Sequence, residues 1–321
     1  MPYVLAVDLG GTKCSAAVVD RKGRIASRLT VPVDLSSRSA PVDQIVQLAR
    51  DFARGARPKE RLVAAGIAVP GLVRRNGTVW APNLPGWERM PLANRLKSSL
   101  KIPVLVESDR NAGLLGECWR GAGKGKSDVI VLMIGTGIGA GIMSGGRAVR
   151  GAHELSGCAG WLAISHDGRS NLSATGELES SAAGPGIANA ARKRLQEGET
   201  SSLSRYDASR ITALEVAAEA RAGDRMALEI FHDAGRSLGV GVANMVSLFD
   251  PEIVIIGGGM AGAAELYLDS LREAMLERAQ PLAAKKVKLV LSKLGDRANL
   301  LGCASLAWES LQKRKVGKER G

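Results

Sequence analysis

An apolar run from Tyr3 to Leu9, broken only by Asp8, stops at Gly10-Gly11-Thr12-Lys13, and a second apolar run follows from Cys14 to Val19. The pattern predicts a buried strand, a tight turn and a strand returning beside the first. Ile25 to Val33 supplies a third strand. Val42, Ile45, Val46, Leu48 and Ala49 recur at helical spacing, so a helix is expected over about 42–53, and Leu62 to Val69 reads as a strand ending in Pro70-Gly71. Two prolines in Ala81-Pro82-Asn83-Leu84-Pro85-Gly86-Trp87 exclude a helix interior and leave a loop that presents the Asn83 amide. A helix over 92–100 leads to the strand Val104 to Glu107, and the small and apolar residues from Ala112 to Cys118 predict a helix beginning at Ser108-Asp109-Arg110-Asn111.

The second half restarts the pattern. Asp128 to Ile134 is a strand, and Gly135-Thr136-Gly137-Ile138-Gly139 is a glycine-rich turn into the next one. A polar stretch from His166 to Thr175 precedes helices from about Leu178 to Leu248. Pro251 to Ile256 is a strand ending at Gly257-Gly258-Gly259, followed by a helix over 264–278, a strand over 287–291 and a last helix over 300–311. Two units of strand, turn rich in Gly with a Thr, and returning strand in one chain point to duplicated phosphate-binding hairpins facing one cleft.

Composition narrows the class. No apolar run reaches the roughly 18–20 residues of a membrane helix, and the first residues lack a charged segment followed by an apolar one, so a cytoplasmic protein with no membrane partner is expected. Cys14, Cys118, Cys158 and Cys303 are scattered without a Cys-x-x-Cys pair, as expected of small buried residues. The formal charge of +12 raises the question of a nucleic-acid partner. Its basic residues are spread along the chain, with a run at 313–320, and aromatic residues make up only 3%. That distribution reads as a solvated surface and tail, not a nucleic-acid site.

The glycine turns carry the chemistry. Glycines let a phosphate approach backbone N–H groups, Thr12 and Lys13 add donors, and Asp8 can hold a hydrated Mg²⁺; the bland alternative is an ordinary hairpin turn. Gly257, Gly259 and Gly262 match a dinucleotide fingerprint, but only about sixty residues follow, too few for the usual two-half nucleotide domain. Gly125-Lys126-Ser127 fails as a P-loop because the position five residues before Gly125 is Arg120. Asp109, at a strand-to-helix junction, is either a helix cap or a carboxylate aimed into the mouth of the sheet, where a general base would sit.

Taken in order, Asp8 to Lys13, Gly66 to Gly71, Pro82 to Trp87, Asp109-x-Asn111-Ala112, Gly135 to Gly139, Gly151-Ala152-His153, Asp250-Pro251-Glu252 with Gly257 to Gly259, and Leu300 to Ala304 resemble the ROK family of repressors and sugar kinases, and within it the bacterial glucokinase-like enzymes. The resemblance implies an α/β fold of the actin-like ATPase, ribonuclease H-like duplicated kind, with two lobes and a central cleft. The lobes are expected over 1–115, joined by a C-terminal helix at about 300–312, and over 116–299, with a disordered basic tail over 313–321. It implies an ATP-dependent carbohydrate kinase in which Asp109 takes the proton from a sugar hydroxyl. Gly10, Gly11, Thr12, Lys13, Gly135, Thr136, Gly137 and Gly139 would hold the ATP phosphates, Gly257, Gly258 and Gly259 would lie against adenosine, and Asp8 would assist Mg²⁺. Asn83 and Glu179 match sugar-contacting positions; otherwise they are a turn former and a first-turn helix acid.

The chain departs from the family on the sugar side. Ser108 stands where the family has Asn, and Cys158-Ala159-Gly160-Trp161 replaces Glu-x-Gly-His. No cysteine lies between His166 and Glu177, so no structural zinc is expected. Ser108, Cys158 and Trp161 are then candidate substrate-side residues, and Trp161 either stacks on the sugar or fills volume left by the zinc lobe. Seven residues precede Asp8, which argues against the helix-turn-helix repressor branch. The expected partner is a small sugar, with a homodimer implied by the resemblance; a non-catalytic sugar-sensing protein of the same fold is the alternative.

Overall fold

The computed structural model describes residues 1–55, 61–165 and 175–319. The chain divides into two compact units, one made of Met1–Gly125, Ala148–Ser156 and Lys293–Gly321, the other of Lys126–Arg147 and Gly157–Ser292.

The first unit holds strands β1 (Pro2–Leu9), β2 (Lys13–Val19) and β3 (Ile25–Pro32), helix α1 (Ala40–Arg54), strands β4 (Arg61–Val69), β5 (Leu72–Val73) and β6 (Val79–Trp80), helix α2 (Leu92–Leu100), strand β7 (Val104–Ser108) and helix α3 (Asp109–Arg120). Five strands form one sheet in the order β3-β2-β1-β4-β7, antiparallel across β3-β2-β1 and parallel across β1-β4-β7. The second unit is built from β8 (Val129–Ile134), β9 (Ile138–Ser144), α4 (Glu177–Ala182), α5 (Gly184–Gln196), α6 (Ala213–Arg221), α7 (Arg225–Phe249), β11 (Ile253–Gly257), α8 (Leu268–Arg278), α9 (Pro281–Lys286) and β12 (Lys288–Leu291), with the short strand β10 (Arg147–Ala148) at its exit. Its sheet runs β10-β9-β8-β11-β12, again an antiparallel pair (β9-β8) followed by parallel strands (β8-β11-β12). The same build twice is the duplication that the paired glycine turns imply.

Alternation along β1 sets the first core. Leu5, Val7 and Leu9 pack with Ile45, Ile67, Trp87 and Leu96 on the face covered by α1 and α2. Val4 and Ala6 point to the other face, against Leu300, Cys303, Ala304 and Ala307 of helix α10 (Ala298–Glu319). Asp8 continues this second register. Helix α10 approaches its neighbours closely because glycines stand at the contacts: a Cβ at its own Gly302 would lie 1.7 Å from the Ala112 carbonyl oxygen, and one at Gly66 of β4 2.0 Å from that of Cys303. Gly66 and the Leu300-to-Ala304 motif therefore serve packing.

Several details differ from expectation. Residue 115 lies inside α3, and the chain leaves the first unit only after Gly125 and returns for Ala148–Ser156. Helix α10 continues to Glu319, through most of the segment expected to be a disordered tail, because Lys, Arg, Gln and Glu favour helix and Glu309 pairs with Lys313 at 2.6 Å; Arg320 and Gly321 lie outside the described residues. The β5–β6 hairpin is an element the hydrophobic pattern missed. Its signal was Asn76-Gly77, with Gly77 at φ 77° and the Asn76 side chain accepting from the Thr78 N–H at 3.0 Å. The helix expected over 264–278 begins at Leu268, preceded by 3-10 turns over Gly259–Leu266.

Candidate active site

In the first unit the chemistry collects at the carboxyl ends of parallel strands, where an α/β sheet presents its loops. Beyond β1, the Gly10 N–H donates to the Lys13 carbonyl at 2.9 Å and the Val33 N–H to the Thr12 carbonyl at 3.0 Å, closing the turn and leaving Thr12 and Lys13 exposed. A Cβ at Gly11 would meet the Asn83 Cβ at 3.3 Å, so the turn and the proline-rich loop are neighbours. That loop is anchored by buried Leu84 and Trp87, whose indole N–H donates to the Arg38 carbonyl at 3.0 Å, and it leaves Asn83 exposed.

Beyond β7, Ser108 is the cap of α3. Its Oγ accepts from the Asn111 N–H at 3.4 Å, and its backbone is extended, as an N-cap requires. Asp109 is the first helical residue and accepts from the Arg110 N–H at 2.8 Å. The cap reading of Asp109 is thereby overturned, and Ser108, expected on the substrate side, is buried at the helix start. Burial pushes the Asp109 carboxyl up, offset in part by the N–H and guanidinium of Arg110. Burial likewise raises Asp8 to about 6; the Asn299 side chain offsets part of this, the like charge of Asp109 adds to it, and Arg28 opposes it. Asp8 and Asp109 thus feel each other directly. The same surroundings push the Cys14 thiol up to about 12 and Cys303 up as well, so both are buried structural thiols.

Sequence reasoning missed the support beneath Asp109. Glu107, 1% exposed, accepts from the Ser108 N–H at 2.9 Å and from the Asn111 amide at 3.1 Å, and its other oxygen receives the Arg150 guanidinium. Arg110 donates to the carbonyls of Ser156 (3.1 Å) and Glu154 (3.2 Å), and Glu154 accepts from Arg75 at 2.9 Å. These bonds fasten the returning segment 148–156 to the start of α3.

In the second unit, the Gly135 N–H donates to the Gly137 carbonyl at 2.9 Å and the Gly184 N–H to that of Gly135 at 2.8 Å. Glu179 at the start of α4 accepts from the Ile138 N–H at 2.7 Å, and a Cβ at Gly137 or Gly160 would come within 2.7 or 2.8 Å of that carboxylate oxygen. Glu179 therefore clamps the turn that contains Thr136 and Gly137; Gly139 lies one step on, in strand β9 opposite Met133. Gly258 has φ 84°, and a Cβ there would lie 2.3 Å from the Ile134 carbonyl oxygen. Because β8 and β11 are parallel neighbours with Met133 opposite Gly257, the two glycine turns adjoin: a Cβ at Gly135 would be 4.0 Å from the Gly259 nitrogen, while Gly259 itself faces open space. Cys158 is half-buried. Trp161 is 59% exposed, so it does not fill a core.

Glu177 ties the end of the 162–165 segment to α4, accepting from the Ser165 hydroxyl at 2.5 Å and the Ile164 N–H at 3.1 Å. His166 and the rest of the segment to Ala174 lie outside the described residues. Among the described residues no cluster of three or more His, Cys, Asp or Glu could hold a metal ion, and no helix is long and apolar enough to cross a membrane. The two carboxylates Asp8 and Asp109 are hard oxygen donors of the kind Mg²⁺ takes together with water and phosphate oxygens.

Two α/β units of like build, each ending parallel strands in glycine turns, define the actin-like ATPase fold. The chain belongs to the ROK family, whose pattern matches residues 4–310. It is 33% identical to a glucokinase of Streptomyces coelicolor over 96% of this chain and 98% of that one. Among solved structures it resembles a ROK glucokinase from Streptomyces griseus in complex with glucose and AMPPNP (TM-score 0.78, 32% identity, 96% of this chain and 99% of that one). It also resembles a ROK family transcriptional regulator, a homologue of the E. coli MLC protein (TM-score 0.86, 26% identity, 95% and 77%).

Proposed function

We propose that this chain transfers the terminal phosphoryl group of ATP to a hydroxyl of a hexose or hexose derivative, with Asp109 as general base. One observation carries the reading: Ser108 caps α3, so the Asp109 carboxylate is left for chemistry, in surroundings that raise its proton affinity. The glucose and AMPPNP bound by the S. griseus relative support the same pair of substrates.

Phosphoryl transfer asks a protein mainly for positioning, charge neutralisation and one placed base. Gly10, Gly11, Thr12 and Lys13, with Gly135, Thr136, Gly137 and Gly139, offer the ATP phosphates backbone N–H groups and one ammonium. Gly259, with nothing within 4 Å of its Cβ position, leaves room for adenosine, and Gly257 and Gly258, packed on Met133 and Ile134, hold the turn that presents it. Mg²⁺ held through Asp8 would neutralise phosphate charge. Asp109 accepts the proton of the attacking sugar hydroxyl. Asn83 contacts the sugar, and Glu179 holds the second turn while offering a carboxylate oxygen to a hydroxyl. Exposed Trp161 suits stacking on a sugar face, and with Cys158 in place of a carboxylate an acetylated or otherwise modified sugar fits as well as glucose does. The enzyme works as a cytoplasmic homodimer in carbohydrate metabolism and needs neither zinc nor nucleic acid.

The test is ATP consumption across a panel of sugars. At least one sugar should stimulate turnover, and Asp109→Ala should lower it about 10²–10⁴-fold. If no sugar stimulates turnover while one binds, the chain is a sugar sensor, the role that the likeness to a transcriptional regulator favours.

A further inference from the structure

A concave site lies in the first unit beside strand β7. A cavity of about 470 Å³ runs along Val104–Val106 and is walled by Arg74, Arg75 and Arg150, with Asn76 beside them. Strand β7 is the last of its sheet. No acidic residue is among the described residues that line the cavity.

The arginines are presented by fixed backbone. The β5–β6 turn is closed by the Arg74 N–H on the Thr78 carbonyl at 2.9 Å and the Gly77 N–H on the Arg74 carbonyl at 2.8 Å. A Cβ at Gly77 would lie 2.5 Å from the Ala93 side chain, so the turn sits flush on α2. Arg75 pairs with Glu154, the arginine side chain 82% exposed and the glutamate 10%, and Glu154 also faces Arg150 at 3.8 Å. Arg150 is anchored on buried Glu107, with part of its guanidinium still accessible. Three planar, permanently charged forks around one concavity offer more N–H donors and more positive charge than the two oxygens of a carboxylate can use, and suit the three or four oxygens of a phosphate group.

We propose that this cavity binds a phosphate group, free or as a monoester, through Arg74, Arg75 and Arg150, and that occupancy reaches the start of α3 through the Arg150–Glu107 pair. An anion drawn to Arg150 competes with Glu107 for the same guanidinium. Glu107 in turn holds the Ser108 N–H and Asn111, on either side of Asp109. The site is independent of the kinase reading, since none of its residues handles ATP or sugar there.

Titration of the full chain with inorganic phosphate, followed by calorimetry and by amide NMR, tests the proposal. Saturable binding is expected, with shifts at residues 74–77 and 107–111, and Arg74→Gln/Arg75→Gln should weaken it at least ~10-fold. Glu154→Gln, which removes the negative charge facing both Arg75 and Arg150, should tighten it. Asp109→Asn should bind phosphate as wild type does whether or not it turns over, which separates this site from catalysis. A hexose phosphate binding tighter than inorganic phosphate would identify a monoester as the natural ligand, and the reverse would identify free phosphate. Unchanged affinity in the double variant, or shifts confined to residues 10–13 and 135–139, would overturn the proposal.

Discussion

The two units share a sheet plan but put different chemistry at its carboxyl edge. In the first, β1 and β7 deliver acids, Asp8 and Asp109, that repel each other and titrate high. In the second, β8 and β11 deliver bare glycines, one of them at φ 84° and under the Ile134 carbonyl. A duplicated scaffold carries acids at one carboxyl edge and glycines at the other; under the proposed function the first would handle a proton and a cation and the second phosphate and a flat base. Topology places the loops; the residue at each strand end decides what they do.

The largest effect is expected at Gly258. Gly258→Ala puts a methyl group into the Ile134 carbonyl at a left-handed φ, and about 3 kcal/mol or more of stability should be lost in urea denaturation. Gly259→Ala meets nothing within 4 Å; its stability should stay within about 1 kcal/mol while its KM for ATP rises.

The acidic half is sharpened by pH. Asp8 is raised in the folded state above its ordinary value of 3.8 to about 6. The folded protein therefore binds that proton more tightly, and the stability this contributes is complete below pH 3.8 and lost as pH rises through about 6. Asp8→Asn should remove this slope, worth at most about 3 kcal/mol between pH 4 and 7. Asp109→Asn should lower the Asp8 titration midpoint seen by carboxyl NMR, because one repelling charge is gone.

Smaller effects test which side chains are structural. Glu179→Ala unclamps the Ile138 N–H and should cost about 1–3 kcal/mol, with a raised KM for ATP. Ser108→Ala removes the cap of α3 and should cost about 1 kcal/mol. Asp109→Ala removes a buried acid together with the bond it accepts from the Arg110 N–H, and stability should change by no more than about 1 kcal/mol.

The strand and turn plan was legible because buried parallel strands read as apolar runs and their ends as glycine clusters. Asp8 facing α10 could also have been read, since period-two alternation puts it in register with Val4 and Ala6. What it meets there could not. Asn299 is 291 positions away, and Arg150 reaches Glu107 across 43 residues. Such pairs leave no local pattern. The return of Ala148–Ser156 to the first unit was hidden for the same reason, and Ser108 misled because a serine before an acid reads equally well as ligand or cap.

The central claim is that Asp109 is a base freed by the cap at Ser108. Formation of a sugar phosphate from ATP, followed by phosphorus NMR with the best sugar of the panel, tests it directly in wild type, Ser108→Ala and Asp109→Ala. Product is expected in wild type, substantial product in Ser108→Ala, and a rate lower by about 10²–10⁴-fold in a fully folded Asp109→Ala. A folded Asp109→Ala that forms product at the wild-type rate would contradict it.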